Sequence, residues 1–382
     1  MGRARICRNP LADGAEIPPT VRDALAFHAS LPGYAPTPLV DVPAVADALG
    51  VARVLVKDES QRLGMPSFKI LGASWATYCA LCAHIDARPA AVDGLDALRE
   101  RLAAHRPLTL VAATDGNHGR AVARMARLLA LEAHILVPAD TVAARIDAIA
   151  AEGARVTRVD GSYDDAVARS AALADARHIV VSDTSWPGYE DIPARVIDGY
   201  ATIGLEIDDE LARRRLGRPD LVAAQIGVGA FACAVVRHFR PQGTTIVGVE
   251  PTHADCVLAS VEAGHIVALP GPHDTIMAGL SCGTPSRIAW PVLAHGIDVL
   301  VACEDERARE AMRLLARAGI VSGESGAAGL AGLLDLRGEP ELAPDATVVL
   351  ISTEGATDPP GYAATVGRTP EQIARQAETC AR

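Results

Sequence analysis

The sequence is almost without lysine. Lysine and arginine together number 36, and only Lys57 and Lys69 are lysines, which leaves 34 arginines. The chemical consequence is narrow: a reaction that needs a side-chain primary amine has two candidates. A cationic surplus is lacking too. With 47 acidic residues and a formal net charge of -11, the chain does not fit a binder of the nucleic-acid backbone, which gathers Lys and Arg on one face. No apolar run reaches the roughly 18 residues that a membrane span needs. The first ten residues hold three arginines with no apolar stretch behind them, so they predict no secretory signal. Cysteine, at 8 in 382 residues, is too dilute for a disulfide scaffold, and a reducing, cytoplasmic setting is the default. Cys79 and Cys82 alone share a metal-like spacing. They lie in TYCALCAH, an apolar helix-like stretch with no second pair, which suits core packing rather than ligation, so no metal is expected.

What the chain has in quantity is alternation. Its length suits about two domains, each able to bury a core, and 49% of its residues are apolar. Short β-branched runs alternate with longer Ala-rich helical stretches along nearly the whole length, without repeats or low-complexity segments. This is the α/β signature. Strands are predicted at 51–56, 108–113, 133–137, 155–159, 178–182, 221–225, 245–250, 297–302 and 347–352, mostly apolar without alternation, as in a parallel sheet covered on both faces. Helical patterns such as those at 117–131 and 189–215 run between them. The first 30 or so residues and the 368–382 tail read as peripheral. In open parallel sheets ligands bind where loops leave the carboxyl ends of strands, so the loops after these strands are where chemistry is expected.

Four such segments carry it. Ser67-Phe68-Lys69 follows a Gly64-Met65-Pro66 turn and opens a helical stretch, so Lys69 is expected near a helix N-terminus among apolar neighbours, where a free nucleophilic amine is favoured over the ammonium; the alternative is a partly exposed helix lysine. Lys57, in VLVKDES, ends a strand beside Asp58 and Glu59 and reads as an ion-pair partner. Thr114-Asp115-Gly116-Asn117-His118-Gly119 joins a strand to a helix. Its glycines let backbone approach a flat ligand and Asn117 offers an amide, although capping by Asp115 or Asn117 accounts for part of the pattern, and His118 alone reads as structural. Gly227-Val228-Gly229-Ala230, between a strand and a helix, has the makings of a phosphate cup or of a tight packing turn; it lacks the full GxGxxG spacing, so a lone phosphate fits it better than a dinucleotide. At the end of VVLISTEGATD, Ser352 and Thr353 place hydroxyls at a strand terminus, and Asp183 stands at another, as a cleft carboxylate or a turn former.

An amine, a lone-phosphate cup, an amide and a strand-end hydroxyl match the needs of pyridoxal phosphate. The chain resembles the fold-type II pyridoxal phosphate enzymes, the group of the tryptophan synthase β-subunit and threonine dehydratase, and within it the diaminopropionate ammonia-lyases. The resemblance runs from YAPTPLVDVPAVADALG through VLVKDES, SFKILGASWA, ATDGNHGRAVA, GSYDDAV, SDTSWPGYEDIP, GVGAF, VEPTHADC, MAGLSCGTPS and GESGAAGL to STEGATD, about 320 residues in order. It implies two open, mostly parallel twisted sheets flanked by helices: a large cofactor-binding domain of residues 1–70 and 182–382, and a small domain of residues 71–181 that closes over the active site. It makes Lys69 the Schiff-base lysine, Asn117 the partner of the ring hydroxyl, Gly227, Val228, Gly229 and Ala230 the phosphate loop, and Ser352 or Thr353 the partner of the ring nitrogen. Asp115 and Asp183 match acidic positions implicated as bases toward the two enantiomers of 2,3-diaminopropionate. Dehydratases carry serine where this chain has Asp115, whereas Pro66-Ser67 is closer to the dehydratases than the Asn-Ala of the ammonia-lyases. The expected activity is α,β-elimination of 2,3-diaminopropionate to pyruvate and ammonia by a homodimer. Dehydration of threonine or serine, or small-molecule binding without catalysis, stand as alternatives. Cys256 and Cys282 fall in two of the matching segments, as reduced thiols or as a redox-sensitive pair if their Cα atoms lie within about 7 Å.

Overall fold

The structure is a computed structural model that describes residues 4–14, 17–114 and 116–380, with side chains as far as residue 376. Asp115 lies outside the described residues. Eleven strands form two sheets among those described: β1 (Arg5–Arg8), β2 (Leu39–Asp41), β3 (Arg53–Asp58), β4 (Thr109–Ala113), β5 (Glu132–Pro138), β6 (Arg155–Val159), β7 (His178–Val180), β8 (Leu221–Gln225), β9 (Thr245–Pro251), β10 (Val299–Cys303) and β11 (Thr347–Ser352). The larger sheet runs β1-β10-β9-β8-β11-β3-β2 and the smaller β6-β5-β4-β7. All pairs of the smaller sheet are parallel, as are those from β10 to β3 in the larger; β1 and β2 are antiparallel edges. The apolar strands β8, β9, β10 and β11 are buried almost throughout, with helices on both faces.

Strand order places the site. From β8 the chain winds through β9 and β10 toward one edge, whereas β11 and β3 lie on the other side of β8. The carboxyl ends of β8 and β11 therefore flank a crevice at the point where winding reverses, where open α/β sheets bind ligands. The loop 226–230 leaves one of these ends and residues 353–355 the other. The smaller sheet stands across the crevice and sends the loops after β4 and β7 toward it. The helix Lys69–His84 packs on the helix Asp191–Arg214, and a side chain at Gly199 would strike the Leu71 carbonyl oxygen at 2.5 Å, so glycine permits the crossing.

Two sequence expectations need correction. Residues 5–8 are not peripheral, because they extend the larger sheet by pairing with Val299–Ala302. Lys57 does form an ion pair, but not with its chain neighbours: its Nζ meets Glu206 Oε2 at 2.5 Å and donates to the Thr37 carbonyl at 2.7 Å. Arg62 bridges Glu206 and Glu59, each at 2.7 Å, so two cations and two carboxylates sit together with almost no exposure. Burial pushes the Glu206 carboxyl up, but Arg62 and Lys57 outweigh it and hold it below its ordinary value. Glu206→Gln leaves those cations short of a counter-charge and is expected to cost about 3 to 5 kcal/mol of stability, read as a lowered urea midpoint. Cys79 and Cys82 are buried, and burial pushes their thiols up to about 12 and about 11, consistent with packing.

Candidate active site

A cavity of about 1040 Å³ occupies the crevice between the sheets. Lys69, the first residue of the helix Lys69–His84, enters it because the preceding segment is pinned to the end of β11. The Phe68 N–H donates to the Thr353 carbonyl at 3.0 Å and the Gly355 N–H to the Pro66 carbonyl at 2.9 Å. Lys69 Nζ meets Asp183 Oδ2 at 2.7 Å, so the amine has a carboxylate beside it and not only the apolar neighbours expected. The Tyr163 hydroxyl donates to Asp183 Oδ1 at 3.0 Å. Burial pushes the Asp183 carboxyl up, yet Lys69, His118 and the Tyr163 hydroxyl together hold it well below the usual carboxylate range. It therefore stays ionised at neutral pH.

Among the described residues no N-cap side chain caps the helix Asn117–Leu128 that follows β4. The Thr114 hydroxyl accepts from the Gly116 and Gly119 N–H groups at 2.9 and 3.0 Å, which leaves the Asn117 amide to donate to Glu354 Oε2 at 2.5 Å. His118 Nε2 donates to the Val181 carbonyl at 2.8 Å, and its buried Nδ1 has no hydrogen-bond partner among the described residues. At the end of β11 the two hydroxyls part. Ser352 Oγ meets Ser322 Oγ at 2.8 Å and does not line the cavity, whereas Thr353 lines it and accepts from Gln225 Nε2 at 3.0 Å. Thr353, not Ser352, thus has the placement to meet a ring nitrogen.

The glycine loop opens the helix Ala230–Phe239, whose first-turn N–H groups lack intrahelical acceptors and carry the positive end of the helix dipole. Gly229 has φ +96°, and a Cβ there would lie 2.4 Å from Leu293 Cδ1, so only glycine keeps this loop close to the helix behind it. The cradle fits a single phosphate. Gly229→Ala is expected to weaken pyridoxal phosphate affinity by about tenfold or more, measured by absorbance titration of apo-protein, because αL strain and the clash both displace the loop. Cys256 and Cys282 flank the same loop. Neither is in a disulfide; Cys256 Sγ lies 3.9 Å from the Gly227 carbonyl oxygen, and a Cβ on Gly227 would lie 3.3 Å from Cys282 Sγ.

Sequence reasoning did not single out Tyr163, Glu324 or Glu354. Glu354 is 3% exposed and accepts from Asn117 and from the Ser325 N–H. Burial, with Glu354 alongside, pushes the Glu324 carboxyl up to about 7. Glu354 follows Thr353 at a strand end, so the rule that selected Thr353 also reaches Glu354. Tyr163 and Glu324 carry no such local signal, since their place depends on how the sheets face each other.

A half-buried lysine facing a single-phosphate cradle at the switch point of a parallel sheet defines a class: an α/β enzyme that captures an aldehyde-bearing phosphate cofactor through its amine. The family model described as pyridoxal-phosphate dependent enzyme matches residues 30–354. The diaminopropionate ammonia-lyase of Escherichia coli strain K12 is 38% identical over 362 residues, 89% of each chain. That of Salmonella typhimurium strain LT2 is 36% identical over 367 residues, 89% of this chain and 90% of its own. The crystal structure of the Escherichia coli enzyme in complex with D-serine superimposes with a TM-score of 0.87 at 34% identity, covering 95% of this chain and 97% of that one. The chain belongs to the pyridoxal-phosphate dependent enzymes and, within them, to the family of the diaminopropionate ammonia-lyases.

Proposed function

We propose that this protein catalyses the α,β-elimination of 2,3-diaminopropionate, giving one pyruvate and two ammonia per substrate and water consumed. The observation that carries the reading is the Lys69–Asp183 pair at 2.7 Å in the cavity that the Gly227–Ala230 loop also lines. When bound, pyridoxal phosphate supplies the aldehyde and the electron-withdrawing ring that acidify the Cα–H bond of an amino acid. The N–H groups at the start of the helix Ala230–Phe239 would hold its phosphate, the Thr353 hydroxyl would serve its ring nitrogen and the Asn117 amide its ring hydroxyl. Lys69 Nζ would hold its aldehyde carbon. Asp183, ionised and held by the Tyr163 hydroxyl, takes the Cα proton of one enantiomer, and Asp115 that of the other. The β-amine must leave as ammonia, and a carboxylate that pairs with a β-ammonium keeps it protonated for departure. The 2-aminoacrylate then released hydrolyses to pyruvate and the second ammonia.

Domain closure belongs to the same reading: the unit of residues 71–181 closes on the rest and excludes water. So do a cytoplasmic location and a homodimer, the common assembly of soluble enzymes. A substrate panel decides the matter. D- and L-2,3-diaminopropionate are expected to exceed serine and threonine in kcat/KM with pyruvate as product; preference for serine or threonine makes the protein a dehydratase instead. Asp115→Ser is expected to shift the kcat/KM ratio toward serine by about 10- to 150-fold, through loss of a charge-assisted hydrogen bond of about 1.5 to 3 kcal/mol to the β-ammonium. Equal losses on every substrate make Asp115 a structural residue.

A further inference from the structure

Two buried serines tie the loop that carries Asp183 to the loop that cups the phosphate. The Ser286 N–H donates to the Val228 carbonyl at 2.8 Å, in the middle of the glycine loop. Ser286 Oγ meets Ser185 Oγ at 2.9 Å, and the Ile288 N–H donates to Ser185 Oγ at 3.3 Å. Ser185 lies two residues beyond Asp183, whose carboxylate holds the Lys69 amine. Exposure is 9% for Ser185 and 1% for Ser286, so water does not compete for these hydroxyls, and each serine lost leaves polar groups unsatisfied. The connection spans the crevice: Ser185 follows β7 of the smaller sheet, and Ser286 stands ahead of the helix Trp290–Gly296, whose Leu293 packs against Gly229.

We propose that Ser185 and Ser286 are positioning residues that couple a filled phosphate cup to the placement of Asp183 against the reacting amine. Phosphate held by the loop fixes Val228; Val228 fixes Ser286 through its carbonyl, and the hydroxyl pair fixes the turn that sets Asp183. By linkage, a correctly set Asp183 loop also tightens phosphate binding. The inference rests on the reading of residues 227–230 as the phosphate cup and Asp183 as a base. It assigns the serines no contact with substrate.

Inorganic phosphate separates this relay from the direct effect of the cofactor, since it fills the cup without reacting with Lys69. Amide hydrogen exchange of apo-protein is compared with and without saturating phosphate, in wild type, Ser185→Ala and Ser286→Ala. Expected is slower exchange at 227–231 in all three, with slower exchange at 182–186, by about fivefold, in wild type alone, as one net hydrogen bond of about 1 kcal/mol gives. Equal protection of 182–186 in wild type and Ser185→Ala, or none in wild type, overturns the relay. Absence of protection at 227–231 overturns the cup and the relay with it, whereas the substrate panel stands apart from both. Should Ser286→Ala not fold, Ser185→Ala carries the test. In the holoenzyme both variants are expected to lower kcat more than they raise KM; a fall in thermal stability alone, with kcat and KM as in wild type, contradicts the assignment.

Discussion

Lys69→Ala is expected to lower turnover of 2,3-diaminopropionate by on the order of 10⁴-fold or more, because no other amine lines the cavity among the described residues. Lys57, the other lysine, is 1% exposed and held by Glu206 and the Thr37 carbonyl, so it cannot substitute. The same change strips Asp183 of the largest of the interactions that keep its carboxyl ionised against burial. The Asp183 carboxyl then titrates at higher pH than in wild type. Added methylamine restoring part of the rate in Lys69→Ala supports the amine role, and an unchanged rate in that variant removes Lys69 from the chemistry.

Asp183→Asn is expected to lower kcat by about 10²- to 10⁴-fold for one enantiomer of the substrate, the loss typical of removing a general base, and by much less for the other. An amide keeps a hydrogen bond to Tyr163 and to the lysine region but takes no proton. The pH profile follows from the depressed carboxyl. A group whose folded value lies below its ordinary one near 3.9 is ionised throughout neutrality and loses its contribution only as pH falls through that lower value. Asp183 therefore imposes no acid limb on kcat between about pH 5 and 8 in wild type. Equal losses for both enantiomers reassign Asp183 to orienting Lys69 rather than removing the proton.

Much of this arrangement is legible in the chain because its strongest signals are local. The runs at 155–159, 221–225 and 347–352 coincide with β6, β8 and β11, and the latter two are followed by loops that line the cavity. The edge strands β1 and β2 escape notice for a physical reason. They are four and three residues long and lack continuous burial, and β1 is defined by partners almost 300 residues away. Lys57 shows the same limit: Asp58 and Glu59 are its neighbours in sequence, but their side chains belong to other contacts, and its counter-charge arrives on a helix 149 residues later. At the end of β11, sequence offers two adjacent hydroxyls without saying which faces the cavity. Pleating sends successive side chains to opposite faces, and Ser322 takes the Ser352 hydroxyl while Thr353 remains on the wall.

The proposed chemistry turns on one nitrogen atom. Borohydride reduction of the holoenzyme followed by peptide mapping fixes it covalently, whatever the substrate. A pyridoxyl label on Lys69 is expected, in the peptide that follows Ser67-Phe68. A label on Lys57 contradicts the account, because that amine would have to leave Glu206 and the buried charge cluster to reach the cofactor.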